Sequence, residues 1–164
     1  MQGPAFFQRA DENGIEEEEI VERIQVCVFE LSERLFALRV LDVQEILEDS
    51  EKITKVPTTP HFLRGVINLR GEIVPVVDVR DVLHLPVKPK TRESRIMIVN
   101  IKHVQLGILV DAIKEVTWID KHAMQPDAIQ TGISDGKFIA NVIDYKDSFL
   151  VLLHLDNLYQ AIQL

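Results

Sequence analysis

The feature that most constrains this sequence is an apolar segment from Phe62 to Val79, interrupted once by a short polar turn. Two runs rich in Val, Ile and Leu flank Arg70-Gly71, which is typical of a β-hairpin. Gly71 supplies the positive φ that a tight turn requires. We therefore predict a rigid hairpin with the guanidinium of Arg70 facing outward at its tip. The turn carries no Ser, Cys or His nucleophile, so it indicates a recognition surface.

The same hairpin pattern recurs near the end of the chain. Residues 138–156 align without a gap with residues 62–80, and the turn Arg70-Gly71 falls on Lys146-Asp147. Three further blocks, beginning at residues 23, 35 and 43, recur in the same order about 70 residues later. This order indicates two similar β units, and a sheet of few strands closes into a barrel to hide its edges.

The predicted fold class is therefore mostly β, with two small five-stranded barrels packed together and short helices including a C-terminal helix. We expect a flexible acidic lead-in over residues 1–19, a first unit over 20–88 and a second unit over 89–164. Crossing of strands between the units is left open. Each unit alone would bury little surface, so the two are expected to share a core and to leave a groove for a partner.

Local patterns refine this outline in the first unit. Residues 23–38 are predicted to form another hairpin, and residues 53–56 a short strand. Residues 40–47 have apolar side chains at helix-like spacing with Glu45 off that stripe, which leaves a helical turn and an irregular strand both open. Pro75 predicts an edge position or a bulge in its strand.

Helix caps are predicted at two places. Asp78 is placed to cap a short helix over residues 79–83, and Asp156 to cap a final helix over residues 157–163. His154, in an apolar run, is interpreted as a hydrogen-bonded structural residue before that helix.

Charge and composition exclude several classes of function. A net charge of −8 disfavours a nucleic-acid partner, because phosphate binding needs a basic face. The single cysteine, Cys27, cannot form an internal disulfide and is interpreted as a buried thiol in a reducing cytoplasm. No apolar run approaches the roughly 20 residues that cross a bilayer, so we expect a cytoplasmic protein without membrane insertion.

The sequence contains no motif for catalysis or for cofactors. The five histidines are not spaced as metal ligands, and no phosphate loop, nucleophile elbow or zinc motif is present. We therefore predict a binding module without cofactor, metal or catalytic residues. Arg70 is the foremost contact residue because its fork of donors suits a carboxylate, and Glu45 is the next. A solvated turn residue and a polar surface position remain the plain alternatives.

The segment 62–79 closely resembles the signature of the CheW-like domain of bacterial chemotaxis. Residues 43–46, 56–60 and 107–116 are similar to that family as well, and the resemblance runs from about Ile24 to Leu158. Asn141 stands where the family usually carries Gly, although Asn tolerates a left-handed backbone better than most residues. His154 stands where an acidic or amide residue is more usual.

The resemblance implies two SH3-like barrels and a non-enzymatic adaptor. One surface would hold the cytoplasmic tip of a methyl-accepting chemoreceptor, and another the regulatory domain of the histidine kinase CheA, at membrane-associated receptor arrays. It further implies that Val43, Glu45, Gly65, Arg70 and Gly71 take part in receptor or kinase association. The glycines would act through backbone shape, and Arg70 and Glu45 through contacts or an internal ion pair.

Two alternatives accompany this expectation. One is a CheW-like adaptor of a receptor–kinase array that controls pili or development. The other is a small regulatory enzyme or ligand-binding barrel that uses the cleft between the units.

Overall fold

The structure is a computed structural model that describes residues 3–10, 16–48, 53–125 and 136–162. Its strands form two sheets. We call the first the central barrel, made of β4 (Val43–Glu48), β5 (Leu63–Leu69), β6 (Glu72–Val77), β7 (Arg95–Ile101) and β8 (Val104–Val110).

We call the second sheet the terminal barrel, because its strands come from both ends of the chain. Its long strands are β2 (Glu16–Leu31), β3 (Arg34–Arg39), β9 (Ala112–Asp120), β11 (Ile139–Tyr145) and β12 (Ser148–Leu153). Two more strands extend it, β1 (Gly3–Ala10) beside β2 and β10 (Met124–Gln125) beside β11. The predicted fold class, two packed five-stranded SH3-like barrels, is confirmed.

The two barrels have the same strand order. It is β4-β7-β8-β6-β5 in the central barrel and β9-β2-β3-β12-β11 in the terminal barrel. In each sheet a single strand lies at one side of two antiparallel hairpins. The two hairpins pair through parallel strands, which are β6 and β8 in the central barrel and β12 and β3 in the terminal barrel. The internal repeat read from the sequence is therefore a repeat of structure.

The predicted units do not coincide with the barrels, because the opening hairpin of each unit is exchanged. Hairpin β2–β3 of the first unit pairs with β9 and β12 of the second, and hairpin β7–β8 pairs with β4 and β6 of the first. The exchange follows from the connections: a 3₁₀ turn (Val40–Asp42) carries the chain from β3 into the other sheet, and Asp111 does so after β8. The boundary between residues 88 and 89 thus does not separate the sheets.

A shared core joins the barrels, as expected. Its largest cluster takes Phe29 and Phe36 from the terminal barrel and Val77, Met97 and Ile108 from the central one, all buried. Smaller clusters fill the inside of each barrel. Cys27 belongs to the shared cluster, and burial raises the pKa of its thiol.

Several local predictions hold and others need correction. The hairpin of residues 23–38 turns at Ser32-Glu33, as predicted. Residues 1–19 were predicted to be a flexible lead-in. In the described part of that range β1 instead pairs along β2, from Gly3↔Arg23 to Ala10↔Glu16. The strand predicted at 53–56 is reduced to a single bridge between Thr54 and Val66.

The helices also differ in detail from the predictions. Helix α1 (Val79–Val82) is capped by Asp78, whose carboxylate accepts from the Arg80 amide, as predicted. Helix α2 (Leu155–Ala161) begins earlier than predicted, and its cap is His154, not Asp156. The His154 Nδ1 accepts from the Asn157 amide at 3.2 Å, which satisfies a donor that a helix start otherwise leaves unpaired. The interpretation of His154 as a hydrogen-bonded structural residue is confirmed.

Pro75 does not lie on an edge strand, because β6 is held between β5 and β8. The parallel pairing of β6 with β8 covers only Val76 and Val77. Pro75 precedes it and so is not required to donate to β8. The bulge of this hairpin lies on β5, between Leu63 and Gly65.

Candidate functional site around Arg70 and Glu45

The turn between β5 and β6 is a tight two-residue turn with positive φ at both positions. Arg70 has φ 51° and Gly71 has φ 85°, the combination of a type I′ hairpin turn. The side-chain oxygen of Asn68 accepts from the Gly71 amide at 3.0 Å. The hairpin frame and this bond fix the backbone from which the Arg70 side chain leaves.

Arg70 forms a two-pronged ion pair with Glu45 on β4. Its Nη1 donates to Oε1 at 2.6 Å and its Nη2 to Oε2 at 3.2 Å. The Arg70 side chain is 72% exposed and that of Glu45 is 24% exposed. The hydrogen bond from Arg70 lowers the pKa of Glu45 below its ordinary value, and the same bond raises the pKa of Arg70. The arginine predicted to face outward is therefore both exposed and anchored.

This ion pair links the two ends of the central barrel. β4 is one end of the strand order, and β5, which leads into Arg70, is the other. An edge left unpaired would expose backbone donors and acceptors. The Glu45–Arg70 pair therefore ties side chains across the place where the sheet closes on itself.

Both forms left open for residues 40–47 occur in this segment, a 3₁₀ turn over Val40–Asp42 and then a strand over Val43–Glu48 with a register shift between Val43 and Glu45. The exposure of the strand alternates, with Val43, Glu45 and Leu47 half-buried and the residues between them exposed, as the period of two of a strand requires. Glu45 therefore shares a face with Val43, while Ile46 is 40% exposed.

Gly65 lies at the end of β5 far from the turn. It has φ 146°, and a Cβ added there would be 2.3 Å from the Thr54 carbonyl oxygen. The bulge on β5, between Leu63 and Gly65, ends at this residue, and the adjacent Val66 bonds the backbone of Thr54 in both directions at 2.8 Å. Glycine is thus required so that the segment around Thr54 can lie against the sheet.

The structure brings Arg70, Gly71 and Glu45 together at one end of the central barrel, with Val43 on the same face of β4 as Glu45. Gly65 is separated from Arg70 by most of the length of β5. Two exposed apolar side chains were not predicted beside this site: Ile46 follows Glu45, and Ile73 is 65% exposed just after the turn. The alternation of a strand predicts that Ile46 points outward, but this could be inferred only after residues 43–48 had been assigned as a strand.

A buried ion network, also missed by the sequence analysis, lies behind the hairpin. Arg80 is buried and donates to Asp78 at 2.8 and 2.7 Å and to Asp111 at 2.8 Å. Burial raises the pKa of Asp78, but hydrogen bonds from Arg80 and Arg64 outweigh that effect and hold it below its ordinary value. Asp111 also accepts from the Ser32 amide at 2.7 Å. The network therefore ties α1 to the β2–β3 turn of the other barrel.

The predicted groove between the barrels is present and has a volume of about 650 Å³. Its lining combines the terminal barrel and α2 with the β7–β8 turn of the central barrel. It includes apolar and charged side chains, among them Ile24, Arg39, Lys102, Met124, Leu152 and Asp156. Asn141 borders it and does not take the left-handed backbone that Asn was expected to tolerate.

In the part of the chain that the structure describes, no group of His, Cys, Asp or Glu side chains is arranged to hold a metal ion. None of the described helices is long and apolar enough to cross a membrane.

Comparison with known proteins identifies the family. The model of the CheW-like domain matches residues 25–163. The chain belongs to the CheW-like family. The chemotaxis protein CheW of Thermotoga maritima is 31% identical over 87% of this chain and 91% of its own length. That of Treponema pallidum is 29% identical over 87% and 86%, respectively.

A solved structure of the CheW-like family agrees with the fold. The crystal structure of the scaffolding protein TtCheW from Thermoanaerobacter tengcongensis is similar with a TM-score of 0.75 and 37% identity, covering 80% of this chain and 84% of that one.

Proposed function

We propose that this CheW-like protein is a non-enzymatic chemotaxis adaptor that couples methyl-accepting chemoreceptors to the histidine kinase CheA. The observation that carries the proposal is the anchored, exposed fork of Arg70 at the tip of the family hairpin. An exposed arginine held in one direction by a second contact suits recognition of a protein surface, because little side-chain freedom remains to be lost on binding.

The two partners would use different surfaces. The end of the central barrel, with Arg70, Glu45 and the exposed Ile46 and Ile73, suits the regulatory domain of the kinase, because it combines apolar area with a charged anchor. The groove between the barrels suits a helical receptor tip, whose apolar face would lie inward. Val43 and Gly65 would contribute through the shape of β4 and β5.

Signalling by such an adaptor requires a difference in binding free energy. The adaptor must bind the active and the inactive assembly with different affinities, since a ligand with equal affinity for both states shifts neither. The buried network from α1 to the β2–β3 turn keeps the two barrels in one relative orientation. A displacement at one surface would then be passed to the other.

The decisive experiment is co-sedimentation of receptor fragments and CheA with and without this protein. We expect the kinase to enter the receptor pellet only when the protein is present. Arg70→Ala should reduce kinase recruitment at least about tenfold, whereas Lys146→Ala, the aligned change on the other barrel, should not. Failure of the wild-type protein to bind either partner would contradict the proposal.

The alternatives are not favoured. The two relatives described above are named chemotaxis proteins and the solved structure a scaffolding protein, which supports chemotaxis over an array for pili or development. The same names favour a scaffold over an enzyme or a ligand-binding barrel. A shorter match, over 52% of this chain, is to a relative named Protein PilI. We propose that the protein works at receptor arrays, held there by its partners.

A further inference from the structure

A cleft in the central barrel is rich in cationic side chains, although the protein has a net charge of −8. The cleft lies between residues 53–55, β5, α1 and the linker 87–90, and its volume is about 440 Å³. Five of its nine lining residues are Lys or Arg and none is acidic. We call it the lysine cleft, after Lys55, Lys88 and Lys90.

Some of this positive charge is already paired within the protein. Arg80 is engaged by Asp78 and Asp111. Arg64 gives its Nε and Nη2 to Asp78, and its Nη2 also lies 3.8 Å from Oδ2 of Asp81. Arg64 therefore keeps its Nη1, and its side chain is 38% exposed.

Two of the lysines, Lys55 and Lys88, are more available than the arginines. Lys88 pairs with Glu33 at 2.6 Å, but both side chains are well exposed, and such pairs are easily exchanged. Among the described residues, Lys55 has neither a hydrogen bond nor an ion pair. Positive charge is therefore available to an anionic ligand at the rim of the cleft.

The lining between these cations is apolar. Val87 is 45% exposed, Leu109 is buried, and Ile53 is half-buried beside the inner core of the central barrel. A small hydrated anion gains nothing from covering apolar surface, whereas a peptide can place an apolar side chain there. Charge and shape together favour a ligand that carries both kinds of group.

We propose that the lysine cleft binds an acidic segment of a partner protein, with an apolar side chain against Val87 and carboxylates at Lys55 and Arg64. The site is separate from the Arg70 turn, because Arg64 lies at the opposite end of β5. Charge complementarity speeds encounter and selects the partner, while the apolar contact supplies the buried area.

The test uses the full-length protein and a defined probe, the capped hexapeptide Glu-Leu-Glu-Asp-Leu-Glu. Titration into ¹⁵N-labelled protein should shift the amide signals of Lys55, Val87 and Leu109 in a saturable manner. Lys55→Glu should weaken binding at least about tenfold, a loss of about 1.4 kcal/mol. Lys114→Glu on β9 makes the same charge change outside both the lysine cleft and the groove between the barrels, and should retain binding to within about twofold.

Three results would overturn the proposal. One is the absence of shifts at the cleft at millimolar peptide, and another is equal binding of the neutral peptide Gln-Leu-Gln-Asn-Leu-Gln. The third is the same set of shifts with inorganic phosphate, which would indicate a simple anion site. If the double substitution of Asp49 and Glu51 by Asn and Gln displaced these signals without peptide, the occupant would be the chain itself. None of these measurements involves the kinase or a receptor, so their outcome is independent of the proposed adaptor function.

Discussion

Both barrels tie their ends together with an acid–base pair, but the two pairs differ in what they present to solvent. In the central barrel Arg70 engages both oxygens of Glu45. In the terminal barrel the aligned Lys146 donates to Glu115 at 2.5 Å, and the Tyr145 hydroxyl donates to the same oxygen. Lys146 also lies over the Tyr145 ring at 5.1 Å.

The two acid–base pairs have the same structural role but differ in the cation that each exposes. The two cations are similarly exposed, at 69% for Lys146 and 72% for Arg70. The lysine is a point charge, whereas the guanidinium is a planar fork that keeps donors available beyond one carboxylate. The acid–base pair is therefore what a closed barrel needs. The arginine is the part of the pair to which we assign recognition under the proposed function.

The first and largest expected effect contrasts the residues that cap α1 and α2. Asp78→Ala removes a fully buried carboxylate that two arginines contact, and it should lower the free energy of unfolding by about 4 kcal/mol. The aligned His154→Ala removes only a helix cap and should cost about 1 kcal/mol. Urea unfolding followed by circular dichroism measures both, and equal losses would contradict the assigned importance of the buried network.

The second contrast concerns the bulges on β5 and β11. Gly65→Ala should cost about 3 kcal/mol, because the new Cβ meets backbone at a positive φ. Asn141 occupies the aligned bulge without a positive φ, so Asn141→Ala should cost less than about 1 kcal/mol. Thermal unfolding of the two variants decides this, and a tolerant Gly65 would show that the segment around Thr54 can move away.

The third contrast tests what the two acid–base pairs do. The exchange E45R/R70E restores opposite charges within the central barrel, so the variant should remain folded, yet its affinity for the CheA regulatory domain should fall at least about tenfold. The matched exchange E115K/K146E should leave that affinity within about twofold. Calorimetry measures both. Full binding by E45R/R70E would mean that the pair acts only within the barrel.

The smallest expected effect is the dependence of stability on pH that the buried carboxylate of Asp78 contributes. The pKa of Asp78 is lower in the folded protein than in the unfolded chain. Its contribution is therefore complete above the unfolded pKa of about 3.9 and is lost as the pH falls through the lower folded pKa.

The free energy of unfolding of Asp78→Asn should accordingly fall less steeply below about pH 4 than that of the wild-type protein. The difference in slope should correspond to the uptake of about one proton fewer on unfolding. The control is Asn141→Ala, which removes no titratable group and should keep the slope of the wild-type protein. Urea midpoints across the acid range measure the two slopes. An unchanged slope in Asp78→Asn would place the acid sensitivity elsewhere.

The sequence was sufficient for features that depend on neighbouring residues. The hairpin turns at Ser32-Glu33 and Arg70-Gly71 and the cap at Asp78 follow from local turn chemistry, and the structure contains all three. The sequence showed that two similar units repeat, but it did not predict the order of the strands within a barrel. The resemblance of residues 62–79 identified the family.

Features that depend on distant residues were not predictable in the same way. The exchange of hairpins between the units joins β2 to β9 across about 90 residues, and no local pattern specifies that choice. Arg80 looked like an ordinary charge beside a cap, and its burial is set by Asp111 from another strand. The face of Glu45 was left open because residues 40–47 are too few to distinguish the helical period from that of a strand, and the segment in fact contains a 3₁₀ turn followed by a strand.

The exchanged hairpins also determine when each barrel can form during synthesis. All strands of the central barrel have emerged once β8 ends at Val110, whereas hairpin β2–β3 must wait for β12, which ends at Leu153. At ordinary translation rates this delay lasts several seconds. Through that time Phe29 and Phe36 can contact the central barrel but lack the part of their cluster that β11, β12 and α2 supply. Hairpin β2–β3 therefore leaves the ribosome early and is among the last parts of the molecule to be fully buried.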